Sequence, residues 1–229
     1  MLSITKQQVL TMTLHKGDII GRKANSTNVN VDSNVRDLMI HLGIYLGNNK
    51  VLDLFQTGLR EISLNDFTLE NNGNNTFEVL RFRGLYKENI LSQLMINLEN
   101  QQFHFPFSSQ PWNLLSNATN YESANCADFL HAQFIYAIQH LKENMNFENE
   151  QDRNTFLETY RNDKLIISEN VTFPKYAIKV SNQFQSINGI KNNAFHNRFE
   201  DPKVNGKFVS FPFHSFQSYQ RSKFFETVK

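Results

Sequence analysis

From Ile40 to Leu46 the chain alternates with period two: His41, Gly43 and Tyr45 fall on one side, and Ile40, Leu42, Ile44 and Leu46 on the other. This is the pattern of a strand with one apolar face. Gly47-Asn48-Asn49-Lys50 then predicts a turn and Val51 to Phe55 a second strand, so the two form a hairpin. Gly17-Asp18-Ile19-Ile20-Gly21 reads as a short strand entered from a turn, Lys23 to Asn34 as a polar loop, and Phe77 to Phe82 as a third strand after an Asn-rich stretch. The period then changes. Ile90, Leu91, Leu94, Met95 and Leu98 recur at helical spacing within Lys87 to Asn100, and Phe129, Leu130, Phe134, Ala137, Ile138 and Leu141 do so after Cys126. The second helix has Ser123 or Asn125 as its N-cap candidate, which puts Cys126 in its first turn. Phe103 to Asn120 reads as a long loop, Thr155 to Tyr160 as further helix, Tyr176 to Val180 as a strand, and Phe208 to Phe213 as a Phe-rich end.

Strands followed by helices predict an α+β fold: a small antiparallel sheet packed on the helix that begins at Cys126. The polar run Glu143 to Asn154 is the best candidate boundary. It divides the chain into residues 1–145, which hold the patterned segments, and a C-terminal extension, 146–229, packed on the same domain.

Composition narrows the partners. With 40% hydrophobic residues, 21 of them Phe, the 229 residues can bury a substantial core. The 23 basic and 22 acidic side chains nearly cancel, and no Lys/Arg run exceeds two residues, so the stripe that a phosphate backbone selects is missing and nucleic acid is not an expected partner. The first ten residues are interrupted by Lys and Gln, so no signal peptide is expected. No apolar run approaches the ~18 residues of a spanning helix, which leaves only peripheral membrane contact open. A lone thiol is kept more easily in a reducing compartment, so the expected location is cytoplasmic, or outside the cell after export without a cleavable signal.

That lone thiol is the centre of the candidate chemistry. A cysteine attacks carbonyl carbon as thiolate, yet a free thiol, with a pKa of about 8.5, is only a few per cent ionised near neutrality. A helix N-terminus and a nearby imidazolium both favour the anion, and the unpaired N–H groups of a first turn can also hold an oxyanion. Cys126 is therefore the candidate nucleophile, His41 the base, and Asp53 the group that orients the imidazole. Side chains alternate along a strand, so Asp53 shares a face with His41 only if the hairpin has an odd-length loop or a bulge. A loop centred on Asn48-Asn49 puts them on opposite faces, and a register centred on Gly47 sets them opposite one another. Glu61 and Asp66 are the substitutes for Asp53. Tyr45 and Gly43, on the His41 side, and Trp112, with the aromatics of Phe103 to Phe107, are candidates for substrate contact. His104, His131 and His140 lack metal-ligand spacing, and neither metal nor cofactor is expected.

Gly17-Asp18-Ile19-Ile20, then His41-Leu42-Gly43-Ile44-Tyr45-Leu46-Gly47, then a polar residue twelve positions after the His, then Asn125-Cys126 opening a helix, together resemble the circularly permuted NlpC-type branch of papain-like enzymes. The nearest resemblance is to the H-box and Asn-Cys proteins similar to lecithin:retinol acyltransferase, over roughly residues 14 to 142. It implies a permuted papain-like fold and an acyl-enzyme at Cys126, with His41 as general base and Asp53 as orienter. The implied activity is that of a thiol hydrolase or acyltransferase acting on a peptide, isopeptide or acyl-lipid substrate. Lipid-acting members carry His at the third position and a Glu-His pair after the Cys, where this chain has Asp53 and Ala127-Asp128. The alternative from another class is a papain-like scaffold without chemistry, serving as a binding module through its Phe-rich C-terminal part.

Overall fold

A computed structural model describes residues 3–24, 41–55, 58–69, 75–100, 126–161, 165–166, 169–173, 209–213 and 216–228. Trp112, His104, the cap candidates Ser123 and Asn125, the expected loop at 103–120 and the expected strand at 176–180 lie outside them. The strands are β1 (Ile19–Ala24), β2 (His41–Gly47), β3 (Lys50–Phe55), β4 (Gly58–Ser63), β5 (Asn75–Phe82), β6 (Glu169–Phe173), β7 (Val209–Phe213) and β8 (Phe225–Thr227). The helices are α1 (Lys6–Thr11), α2 (Leu64–Leu69), α3 (Lys87–Asn100), α4 (Cys126–Asn144), α5 (Glu150–Thr159) and α6 (Phe216–Gln220).

Six strands form one antiparallel sheet in the order β4-β3-β2-β1-β5-β8, and β6 pairs with β7 in a separate ladder. The chain is thus an α+β protein. The sheet is apolar on both faces, because helices cover both. Ile19, Leu42, Ile44, Leu52, Leu54, Leu80 and Phe82 form the larger core with α3 and α4. Ile20, Val51, Phe77 and Val79 meet Val9 of α1 and Leu64 and Phe67 of α2 on the other side. The period-3.6 stripe of α4, Phe129, Leu130, Phe134, Ala137, Ile138 and Leu141, is buried throughout. That stripe fixes how the helix opening at Cys126 lies on the sheet.

Residues beyond 145 share this core. Phe156 and Tyr160 lie in the larger cluster, β8 is the sixth strand of the sheet, and the Tyr219 hydroxyl donates to the Ala127 carbonyl at 2.7 Å, in the first turn of α4. Within the polar run read as a boundary, Asn149 caps α5 by accepting from the Asp152 N–H at 2.9 Å, so the helix starts at Glu150 rather than Thr155. Its only buried residue is Phe156. A helix with so small an apolar face leaves almost no periodic trace in the sequence.

The Gly17-Asp18 pair has a structural role. Gly17 has φ +89, a left-handed conformation that an L side chain adopts only with strain, and a Cβ there would come within 2.5 Å of Leu91 Cδ2. Asp18 is buried and takes a two-pronged bond from Arg81 of β5, Nε to Oδ1 at 2.8 Å and Nη2 to Oδ2 at 2.7 Å, while the His15 N–H donates to Oδ2. The motif ties the entry of β1 to its neighbour strand.

Candidate active site

The β2–β3 hairpin decides whether a site exists. Asn48 and Asn49 both have positive φ, 49 and 63, as a two-residue turn of the mirror-image type requires. That turn closes on Gly47↔Lys50. Continued without interruption, this register would pair Asp53 with Ile44 and send its carboxylate to the face opposite His41. The register instead shifts between Tyr45 and Gly47, so that Tyr45 pairs with Val51 and Gly43 with Asp53. Leu46 is the extra residue, a bulge that brings Asp53 to the His41 side. The two are diagonal neighbours rather than opposite one another, because the pairing that results is centred one residue beyond Gly47.

His41 Nε2 lies 2.6 Å from Asp53 Oδ2. Asp53 is fully buried, and an isolated carboxylate there would be costly. Arg60, directly across the ladder on β4, compensates with Nε donating to Oδ1 and Nη2 to Oδ2, both at 2.7 Å. Such a two-pronged pair is among the stronger protein hydrogen bonds. Burial pushes the Asp53 carboxyl up, but the bonds from His41 and Arg60 outweigh it and hold the group below the usual carboxylate range.

As the first residue of β2, His41 touches groups from both sides of the sheet. Its ring stacks on Phe67 of α2 at 5.8 Å, and it forms a side-chain hydrogen bond with Cys126 at the start of α4. Cys126 is partly buried and packs against the larger core. Burial works against the imidazolium, but the Asp53 bond, the Cys126 bond and the electrostatic attraction of these two neighbours prevail and raise His41 to about 9. Phe67 is held in turn by Arg22 of β1, the cross-strand partner of His41. The Arg22 guanidinium lies 5.0 Å from the Phe67 ring centre and donates to the Phe67 carbonyl at 2.6 Å.

The structure therefore brings Cys126, His41 and Asp53 together and adds Arg60 and Phe67, which sequence reasoning missed. Arg60 did have a signal: it stands seven residues after Asp53, and a two-residue connection after Phe55 places an acid and a base at that spacing directly across a hairpin. The weakly patterned β4 hid it. The substitutes for Asp53 lie elsewhere, Glu61 in an exposed pair with Lys50 and Asp66 accepting from the Ser63 hydroxyl. Tyr45 is turned to the hairpin, its hydroxyl accepting from the Asn49 N–H at 3.1 Å. Gly43 does leave room, but protein fills it: a Cβ would stand 2.4 Å from Val51 Cγ1 and 2.9 Å from the Phe67 ring. Gly43→Ala is accordingly expected to destabilise the fold by about 1–3 kcal/mol through overpacking, measured by urea unfolding, and to disturb the ring on which His41 stacks.

Among the described residues, no group of three His, Cys, Asp or Glu is placed to hold a metal ion, and no helix is long and apolar enough to cross a membrane. Fold and site together define an α+β protein in which an antiparallel sheet and a helix start assemble a Cys, a His, an Asp and an Arg. Comparison with family models, curated proteins and solved structures gave no match.

Proposed function

We propose that the protein is a thiol-dependent hydrolase or acyltransferase that cleaves an amide or ester through an acyl-enzyme at Cys126, on a permuted papain-like scaffold. The observation that carries this reading is the connected row Cys126, His41, Asp53, with its histidine raised to about 9 between two acidic partners. Such a histidine holds its proton at neutral pH and so supports a thiolate beside it.

The chemistry follows from that charge state. The Cys126 Sγ anion adds to the substrate carbonyl carbon, and backbone N–H groups of the first turn of α4 stabilise the oxyanion. With Nε2 donating to Asp53, Nδ1 is the ring nitrogen left to pass its proton to the departing amine or alkoxide as the carbon–heteroatom bond breaks. Neutral His41 then takes a proton from water, or from an acceptor amine or alcohol, as that nucleophile attacks the thioester. Sγ leaves as the anion, and the imidazolium is restored. Peptide, isopeptide and acyl-lipid carbonyls all suit these steps.

The test is the rate of Cys126 alkylation by iodoacetamide from pH 4 to 9, in the native protein and in His41→Ala; the single cysteine makes the readout unambiguous. Rapid alkylation below neutrality that collapses without His41 supports the reading. A slow thiol indifferent to His41 overturns it and favours a binding module.

A pH prediction follows for turnover. Because the raised His41 loses its proton only as pH passes about 9, kcat/KM for an activated ester is expected to hold through neutrality and fall above that value, where the general acid is gone.

A further inference from the structure

We infer that Arg60 is a positioning residue of this site: through its two-pronged grip on Asp53, it keeps the buried carboxylate ionised and aimed at His41, and so sustains the charge pair between His41 and Cys126. The inference rests on the proposed function and adds to it a member outside the Cys, His and acid set.

Charge balance along the site requires a cation at Arg60. Arg60, Asp53, His41 and Cys126 form a row of alternating sign, +, −, +, −, whose sum is zero when the thiol is ionised. Asp53 has no exposure to water, so whatever holds its charge must be protein. His41 bonds Oδ2, whereas Arg60 reaches both oxygens. Arg22 of β1, the cross-strand partner of His41, donates to the Phe67 carbonyl, and the ring of Phe67 itself is apolar. Without the Arg60 charge the row carries a net negative charge inside the protein, which the uptake of one proton relieves. Asp53 is the site for that proton, since burial already pushes it upward and His41 alone then opposes the push. A neutral Asp53 no longer supports the imidazolium, and without the imidazolium the thiolate reclaims its proton. The acid edge of Cys126 reactivity thus tracks the protonation of Asp53.

Arg60 lies on β4, with its side chain about a quarter exposed, 23%, so substitution there is compatible with folding. The experiment compares iodoacetamide alkylation of Cys126 across pH in the wild type, His41→Ala, Arg60→Gln and Arg60→Lys, with thermal unfolding of each. The charge-removing Arg60→Gln is expected to move the acid edge up by about one pH unit or more. Arg60→Lys keeps a cation but not the fork; its edge is expected to stay near that of the wild type, with a lower plateau rate. If Gln is poorly folded, Arg60→Met replaces it as the uncharged variant. Equal profiles for the uncharged and Lys variants, whether both shifted or both unshifted, overturn the inference, because packing alone would then account for Arg60. That result leaves the proposed function standing if the wild-type thiol is fast and needs His41. A wild-type thiol that ignores His41 removes both.

Discussion

Cys126→Ala is expected to abolish turnover of activated esters and amides while the protein stays folded, with its unfolding free energy within about 1 kcal/mol of wild type. The substitution deletes one partly buried sulfur at the first residue of α4, and the apolar stripe from Phe129 to Leu141 that anchors the helix is untouched. His41→Ala is expected to lower the rate about a hundredfold or more, the usual size of a general acid–base contribution. Asp53 remains held by Arg60 in that variant, so the fold should again survive. Steady-state kinetics with a p-nitrophenyl ester, alongside urea unfolding of each variant, separates the two effects. Loss of stability in proportion to loss of activity would mean that the residues serve the fold and not a reaction.

Asp53→Asn is expected to damage both. The amide is nearly isosteric, but its NH2 group would face the donors of Arg60 or His41, and one of the charge-assisted bonds must be lost. Removing one partner of a buried ion pair costs about 3–5 kcal/mol. The lower end applies because Arg60 and His41 retain some access to water, and ~3 kcal/mol corresponds to a fall in melting temperature of roughly 6–12 °C for a chain of this size. Stability should also change its response to acid. The wild-type carboxyl is depressed on folding, so its contribution is present above the ordinary value of 3.8 and is lost as pH falls through the folded value. Asn cannot titrate, so the variant should lack that part of the acid dependence in unfolding measured between pH 2 and 6. The rate should drop with it, since nothing then fixes the His41 tautomer. A variant as stable as wild type, or with the same acid dependence, would show that Asp53 does not carry the charge assigned to it.

Local pattern revealed the elements that bury a clear face. The alternation from Ile40 to Leu46 and the 3.6-residue stripes of α3 and α4 follow from side chains that must leave water, and they were legible as sequence. Weakly patterned elements escaped: α1 and α2 are only six residues each, β4 mixes polar and apolar positions, and β8 is three residues long. Their places come from contacts with distant segments, as when β8 joins β5 across some 140 positions of chain.

The same division runs through the site. By itself the sequence determined that there is one thiol, that it opens an amphipathic helix, and that a histidine begins an alternating strand with an acid twelve residues on. Only the tertiary structure decided that these groups meet. A single extra residue, Leu46, flips the face of Asp53, because strand side chains alternate and a shift of one inverts every position beyond it. The charge on that aspartate is likewise settled by His41 and Arg60 acting against its burial, and all three depend on how three strands lie side by side.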